Sequence, residues 1–311
     1  MVIFLMFTKD GKINKITLSH LYSRGGEMPQ VSKESLEMKK KIGMINRIMV
    51  ISVMALTVGI ISAGCVKTGS SSESAAGNAV IGIIGAMDSE VTSLKEHTSD
   101  KKTTVIAGME FIEGTLRGRS VVIVKCGVGK VNAGICANTL INNFGCTRII
   151  NTGVAGSLNN DINIGDIVVS VDAVQHDMDA TALGFEKGEI PYTDMRVFSA
   201  DAGLRQAAVR AAKESAPDIS VYEGRICSGD QFVATREQKD EIISGFGGMC
   251  TEMEGAAMAQ ACCLNDTPFV IIRAISDKED GSQHVQFETF QAAAARNCAN
   301  IVEDMVEHLA D

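Results

Sequence analysis

From residue 79 to the C-terminus, short apolar runs rich in β-branched residues alternate with longer stretches at helical spacing. The runs are "AVIGIIG" (79–85), "SVVIVKCGV" (120–128), "TRIINTGVAG" (147–156), "DIVVSVDAV" (166–174), "ISVYEGRICSGD" (219–230) and "PFVIIRAISD" (268–277). Between them, "VNAGICANTLINNF" (131–144) and "LRQAAVRAAKESA" (204–216) repeat apolar residues three and four apart, the period of a helix with one buried face. Near the C-terminus Phe287, Phe290, Ala294, Ile301, Met305 and Leu309 fall on or near one helical stripe, with Glu303, Asp304 and Glu307 elsewhere. Strands alternating with helices predict an α/β domain. Residues 79–311 are enough to bury a full core as one domain.

The first 78 residues follow a different pattern. In "KKKIGMINRIMVISVMALTVGIISAGC" (39–65), Lys39, Lys40, Lys41 and Arg47 precede 17 uncharged residues, Ile48 to Gly64. A basic segment followed by an apolar one is the pattern of an export signal. Its end, "SAGC", resembles a bacterial lipoprotein signal-peptidase site, with Ser62 where Leu is usual; the resemblance implies that Cys65 is diacylated and becomes the mature N-terminus. An uncleaved anchor is the alternative, since ~17 residues is the lower limit for a membrane span. Met38 opens an ordinary signal and is expected to be the true start. Residues 66–78, "VKTGSSSESAAGN", read as a flexible tether. The expected organisation is therefore an N-terminal extension and signal (1–64), a lipidated Cys65 with its tether (65–78) and a catalytic body (79–311) facing outside the cytoplasm from the cell membrane.

Charge sharpens this division. Residues 1–47 carry 9 Lys or Arg against 4 Asp or Glu, so the remaining 20 basic and 34 acidic residues give the rest of the chain a net charge of about −14. An acidic body disfavours nucleic acid as a partner. The eight cysteines after Cys65 lie mostly inside apolar segments, where Cys packs as a small hydrophobe, and no CxxC pair is present. Neither a disulfide framework nor a zinc site is expected.

Several strand-like runs end in polar or glycine-rich tails: "GAMDSE", "NTGVAG", "SGDQF", "TEMEGAA" and "AISDKED". In α/β folds, ligands bind outside the carboxyl ends of strands, so five converging tails would assemble a site from residues distant in sequence. The first tail lacks the G-x-G-x-x-G of a dinucleotide loop, and no Walker loop appears. Taken alone, each tail also has a purely structural reading. Asp88, Ser89 and Glu90 are all good first-turn residues of a helix, and Asp277 could cap the turn after its strand.

In this order and at this spacing, "IGIIGAMDSEV", "INTGVAGSL", "GDIVVS", "HDMDATALGF", "SGDQF", "TEMEGAAMA" and "RAISD" resemble the bacterial 5′-methylthioadenosine/S-adenosylhomocysteine nucleosidases of the nucleoside phosphorylase superfamily. The resemblance covers the chain from about residue 79 and implies a single α/β domain with a central mixed sheet flanked by helices. It implies hydrolysis of an N-glycosidic bond, with Asp277 as the acid that protonates adenine N7 and Glu90 as the base that activates water. Glu254 would accept hydrogen bonds from the ribose hydroxyls, with Met253 against the sugar. Phe232 would stack on adenine, the backbone of Val233 would pair with it, and Ser276 would cover the N7 edge. Met87, Phe185 and Phe287 match positions lining the ribose and the 5′-alkylthio group, and Val154 and Ala155 lie in the "NTGVAG" tail, where relatives often have Ser in place of Val154. Pro191 matches a residue contributed across a dimer interface, which implies a homodimer. Glu252 and Arg273 would support the site or form a structural ion pair.

Acid, base and water suffice for this chemistry, so neither a metal nor an organic cofactor is expected. Three alternatives stand beside it: a nucleosidase acting on an aminodeoxyfutalosine-type substrate, a nucleoside phosphorylase using Lys130 of "GVGKVNAG" toward phosphate, and an anchored nucleoside-binding protein without turnover.

Overall fold

The computed structural model describes residues 3–7, 13–17, 79–278 and 283–309. The signal at 39–65, Cys65 and the tether at 66–78 lie outside the described residues. Two units divide the chain at Glu73 and Ser74. In the first, Ile3–Phe7 pairs antiparallel with Ile13–Thr17, Ile3 opposite Thr17. All elements below belong to the second.

That unit is built on one ten-stranded mixed sheet. In chain order its elements are β1 (Ile81–Gly85), α1 (Asp88–His97), β2 (Ser99–Ile106), β3 (Met109–Leu116), β4 (Arg119–Lys125), α2 (Lys130–Phe144), β5 (Arg148–Ser157), β6 (Ile167–Gln175), β7 (Phe198–Ser199), α3 (Ala202–Ser215), β8 (Val221–Ser228), α4 (Arg236–Phe246), β9 (Cys250–Glu252), α5 (Gly255–Leu264), β10 (Phe269–Asp277) and α6 (Gln283–His308). The six apolar runs form β1, β4, β5, β6, β8 and β10. All five residues of β1 and all nine of β10 are buried, as befits strands covered by helices on both faces. On one face Val91 and Leu94 of α1 pack with Leu204, Ala208 and Ala211 of α3 and with Ala295, Ile301 and Met305 of α6. On the other, Ala133, Cys136 and Leu140 of α2 pack with Ala256, Ala259 and Cys262 of α5. Cysteine is thus a core residue here: all eight in the body are free thiols and seven are buried.

The strand order is β9-β8-β6-β10-β5-β1-β4-β3-β2, with the tenth strand, β7, paired to β6 off this path, and β9 also pairs with β5. Five strands, β5, β10, β6, β8 and β9, therefore close into a ring, which removes their edges. The closure positions the site. Thr251 on β9 stands opposite Gly156 on β5, and Asp277 on β10 stands opposite the same glycine. The ends of three strands thus meet in one row.

Two parts of this fold differ from the expectation. The β2–β3 hairpin has no counterpart among the apolar runs, because β2 is mostly exposed and its sequence, "SDKKTTVI", is polar. Phe290, expected on the buried stripe of α6, is 41 % exposed, whereas Ala294, Ile301, Met305 and Leu309 are buried. Among the described residues, no helix is long and apolar enough to cross a membrane.

Candidate active site

The corner between β1 and α1 sets the first functional group. Met87 occupies the N-cap of α1 and supplies no side-chain cap, so the free N–H groups need another acceptor. Glu90, in the first turn, folds back and provides it. Its Oε2 accepts from Ala86 N at 2.6 Å and Met87 N at 3.0 Å, and its Oε1 accepts from Val154 N at 3.1 Å. The neighbouring polar residues are spent elsewhere: Asp88 meets Lys125 Nζ at 2.8 Å, and Ser89 Oγ donates to Gln291 Oε1 at 3.0 Å. Glu90 is 2 % exposed. Burial pushes its carboxyl above the ordinary range, against the Arg273 charge and the three backbone donors.

Gly153 makes this packing possible. A Cβ at that position would fall inside the van der Waals shells of Arg273 Nη1 and Glu90 Oε1. Gly153→Ala is expected to destabilise the fold by about 1–3 kcal/mol and to depress turnover with it. Urea unfolding alongside an adenine-release assay checks this, and wild-type values in both would show that the corner has room to spare.

The turn from β9 into α5 sets a second carboxylate. Glu254 is the N-cap residue of α5, and its Oε1 accepts from Gly129 N at 2.8 Å. Behind it, Glu252 accepts from Glu254 N at 3.0 Å, from Gly255 N at 2.8 Å, and from Ser228 Oγ and Arg273 Nη2 at close range. Arg273 is 1 % exposed, donates to Asn151 Oδ1 at 2.6 Å and stands 3.8 Å from Glu254. It lies behind the cavity and does not line it. The pairing of Arg273 with Glu252 is therefore a buried structural one that also fixes the start of α5. Burial opposes the Arg273 charge, but Glu252, Glu254 and Glu90 outweigh it and strengthen its hold on the proton.

Burial, followed by the Glu252 charge, pushes Glu254 up to about 7. An unfolded chain would release that proton near the ordinary value of 4.5. Between those limits the folded state holds the extra proton, so stability is greatest at the acid end, falls as pH rises through the window and levels off above it. The upward shifts of Glu90 and Asp277 act with the same sign. The melting temperature is expected to fall from about pH 4.5 to about pH 7 and to fall less steeply in Glu254→Gln. Equal slopes would remove Glu254 from the account.

The third carboxylate ends β10. Asp277 is 3 % exposed and accepts from Ser276 Oγ at 2.8 Å. Burial raises its pKa, partly offset by the Ser276 bond and the Lys239 charge. Its carboxyl leans over Gly156, where a Cβ would stand 2.9 Å from Oδ2.

Glu90, Glu254 and Asp277 line one cavity of about 310 Å³, near the small end of ligand sites. Of the residues the resemblance assigns to the site, Met87, Val154, Ala155, Met253 and Ser276 also lie along this cavity, and Glu252 reaches its wall. Phe232, 45 % exposed at the mouth, meets Phe287 edge to face at 5.7 Å, and Val233 is buried beside it. Phe185 and Pro191 are not brought to this cavity. They sit on the segment between β6 and β7, where Phe185 packs edge to face on Tyr192 at 5.2 Å.

Val128, Gln231 and Thr251 line the cavity without having been anticipated. The glycine-rich "GVGK" offered a signal for Val128, but as a phosphate loop rather than as an apolar wall. Lys130 of that loop is committed to Asp177, 2.5 Å away. Among the described residues, no group of three or more His, Cys, Asp or Glu is placed to hold a metal ion.

Residues 80–307 match the phosphorylase superfamily. The chain is 40 % identical over 230 residues to the 5′-methylthioadenosine/S-adenosylhomocysteine nucleosidase of Psychromonas ingrahamii, covering 74 % of this chain and 99 % of that one. The nucleosidase of the same name from Neisseria meningitidis, solved with methylthio-immucillin-A, superposes with a TM-score of 0.71 at 38 % identity, covering 74 % and 99 % of the two chains. The futalosine hydrolase of Helicobacter pylori superposes with a TM-score of 0.70 at 33 % identity, covering 74 % and 98 %.

Proposed function

The chain belongs to the phosphorylase superfamily, and from that membership and its cavity we propose that it hydrolyses the N-glycosidic bond of 5′-methylthioadenosine and S-adenosylhomocysteine, releasing adenine and the 5-substituted ribose. One observation carries the reading: two buried carboxyls with raised pKa, Glu90 and Asp277, line the same cavity from different strand ends. N-glycosidic cleavage passes through an oxocarbenium-like ribose and needs an acid for the leaving base and a base for water. Asp277, whose protonated form burial favours, gives its proton to N7. Glu90 takes the proton of the attacking water. Its three backbone donors and Arg273 favour its ionised state against the effect of burial. Glu254 accepts from the ribose hydroxyls, which a carboxylate can do from both of a vicinal pair.

Water rather than phosphate is the nucleophile. Among the described residues the cavity wall contains no Lys or Arg and four acidic residues, Glu90, Glu252, Glu254 and Asp277. A phosphate dianion would meet repulsion there. Met87 and Phe287 give the wall an apolar stretch suited to a 5′-alkylthio group.

The segment carrying Phe185 and Pro191 supports a homodimer. Leu183 and Tyr192 on it are 71 % and 87 % exposed, apolar surface available to a second copy. In such a dimer Phe185 and Pro191 would complete the partner's cavity. The basic and apolar segment at 39–65, ending in "SAGC", supports a lipid anchor at Cys65 or a signal anchor, placing the enzyme on the outer side of the cell membrane.

The test is adenine release from 5′-methylthioadenosine with and without phosphate. Release in phosphate-free buffer is expected. A strict phosphate requirement would make the protein a phosphorylase, faster cleavage of aminodeoxyfutalosine would move it toward the futalosine hydrolase branch, and binding without release would leave a nucleoside-binding protein. Adenine appearing outside intact cells given the nucleoside is expected from the anchored form, and its absence would count against an outward-facing enzyme.

A further inference from the structure

Three charged residues lie in the site's motifs yet take no part in its chemistry: Lys130 of "GVGK", Asp177 of "HDMD" and Asp230 of "SGDQF". The fold brings them together. Lys130 Nζ donates to Asp177 Oδ1 at 2.5 Å and to Gln175 Oε1 at 3.2 Å. Asp177 Oδ2 accepts from Asp230 N at 2.9 Å, and Asp230 Oδ1 accepts from Lys130 N at 2.8 Å. Each of the three is thus bonded to both others, closing a ring that joins the start of α2 to the segments after β6 and β8. The Lys130 and Asp177 side chains are 17 % and 14 % exposed, so solvent screens their pairing only in part. Burial alone would raise the Asp177 carboxyl, but the bonds from Lys130 and Asp230 N outweigh it and hold it below its usual range, favouring its ionised form.

The ring's place in the chain gives it a role. One residue before Lys130, Gly129 N donates to Glu254 Oε1, the carboxylate assigned to the sugar. The turn there is tight: Gly129 has φ +103°, and a Cβ on it would stand 3.1 Å from Asp230 Oδ1. Two and three residues after Asp230 come Phe232 and Val233, assigned to the base. Asp230, Gln231 and Phe232 are all exposed, so packing alone does not hold the start of this loop. The bonds through Asp230 tie it to the sugar side.

We propose that Lys130, Asp177 and Asp230 are positioning residues that lock the sugar-binding and base-binding halves of the cavity into one preorganised unit, so that a ligand filling both halves gains affinity that a ligand filling one half does not. This rests on the assignment of Glu254 to ribose and of Phe232 and Val233 to adenine. The physical basis is the entropy of ordering a loop on binding, which a loop tied in advance does not lose again.

The experiment measures, by calorimetry on the full chain, the affinity for methylthio-immucillin-A, which fills both halves, and for adenine, which fills one. Lys130→Met and Asp230→Ala are expected to weaken the first by about tenfold more than the second. Lys130→Arg retains the charge, and Asp230→Asn retains the acceptor toward Lys130 N; both are expected to recover most of the difference. Melting temperatures identify any variant that does not fold. Should Lys130→Met be one, Asp230→Ala, on an exposed loop, still carries the comparison. Equal weakening of both ligands, or no weakening in folded variants, while wild type binds both, would overturn the clamp alone. Wild type that binds neither would overturn the site assignment and the clamp with it.

Discussion

Asp277→Asn is expected to lower kcat for 5′-methylthioadenosine by about 10²–10⁴-fold, the range a general acid contributes, while the nucleoside still binds. The substitution is close to isosteric, and the asparagine oxygen can keep the 2.8 Å bond from Ser276 Oγ. Its amide can still donate a hydrogen bond to N7, so the base remains oriented. What it cannot do is hand over a proton. The leaving group must then depart as an unprotonated purine anion, and the barrier rises by that difference. The raised pKa of Asp277 gives a second signature. In wild type the acid is lost as pH climbs through its folded value, so turnover declines on the alkaline side; in Asp277→Asn that limb disappears from whatever activity persists. Single-turnover adenine release across pH, with binding measured separately, reads both effects. Wild-type turnover in Asp277→Asn would mean that the base leaves without help from this residue.

How much of this was legible in the sequence depends on the kind of contact. The convergence of five polar tails follows from strand ends in an α/β fold, and each of the five supplies at least one residue to the cavity. The row of Thr251, Gly156 and Asp277 was not legible, because it depends on β9 joining the end of β5, a register between strands about a hundred residues apart. Neither was the use of Arg273. A supporting role and a structural ion pair were both open to it, and the buried bonds to Glu252 and Asn151 make it a structural centre behind the wall. The β2–β3 hairpin escaped because a mostly solvent-facing strand carries little apolar signal. Phe185 and Pro191 were read from resemblance alone, and a single chain does not bring them to the cavity. The three capping candidates at the β1–α1 corner illustrate the same boundary. Composition makes Asp88, Ser89 and Glu90 equivalent and the resemblance singles out Glu90, but the fold shows that Glu90 itself turns inward and caps the helix with the same carboxylate that faces the cavity.

That double duty gives Glu90→Gln an unusual expected profile: kcat down by at least ~100-fold with only a modest change in stability. Glu90 accepts three backbone donors through two oxygens. A glutamine has one oxygen, so its NH₂ must face either Val154 N or the pair at Ala86 and Met87. Leaving such a buried donor unmet costs about 1–3 kcal/mol. Against this, the substitution removes a buried negative charge whose desolvation is the largest influence on its own pKa. The two effects oppose each other, so the melting temperature is expected to shift by a few degrees in either direction. The chemistry has no such compensation, because an amide cannot take a proton from water. A folded, nucleoside-binding, hydrolytically inert protein is therefore the expected outcome in phosphate-free buffer. Persistent hydrolysis would direct attention to Glu254, the other carboxylate of the cavity whose pKa, about 7, is placed to accept a proton at neutral pH. The corner at Glu90 would then be a helix cap and nothing more.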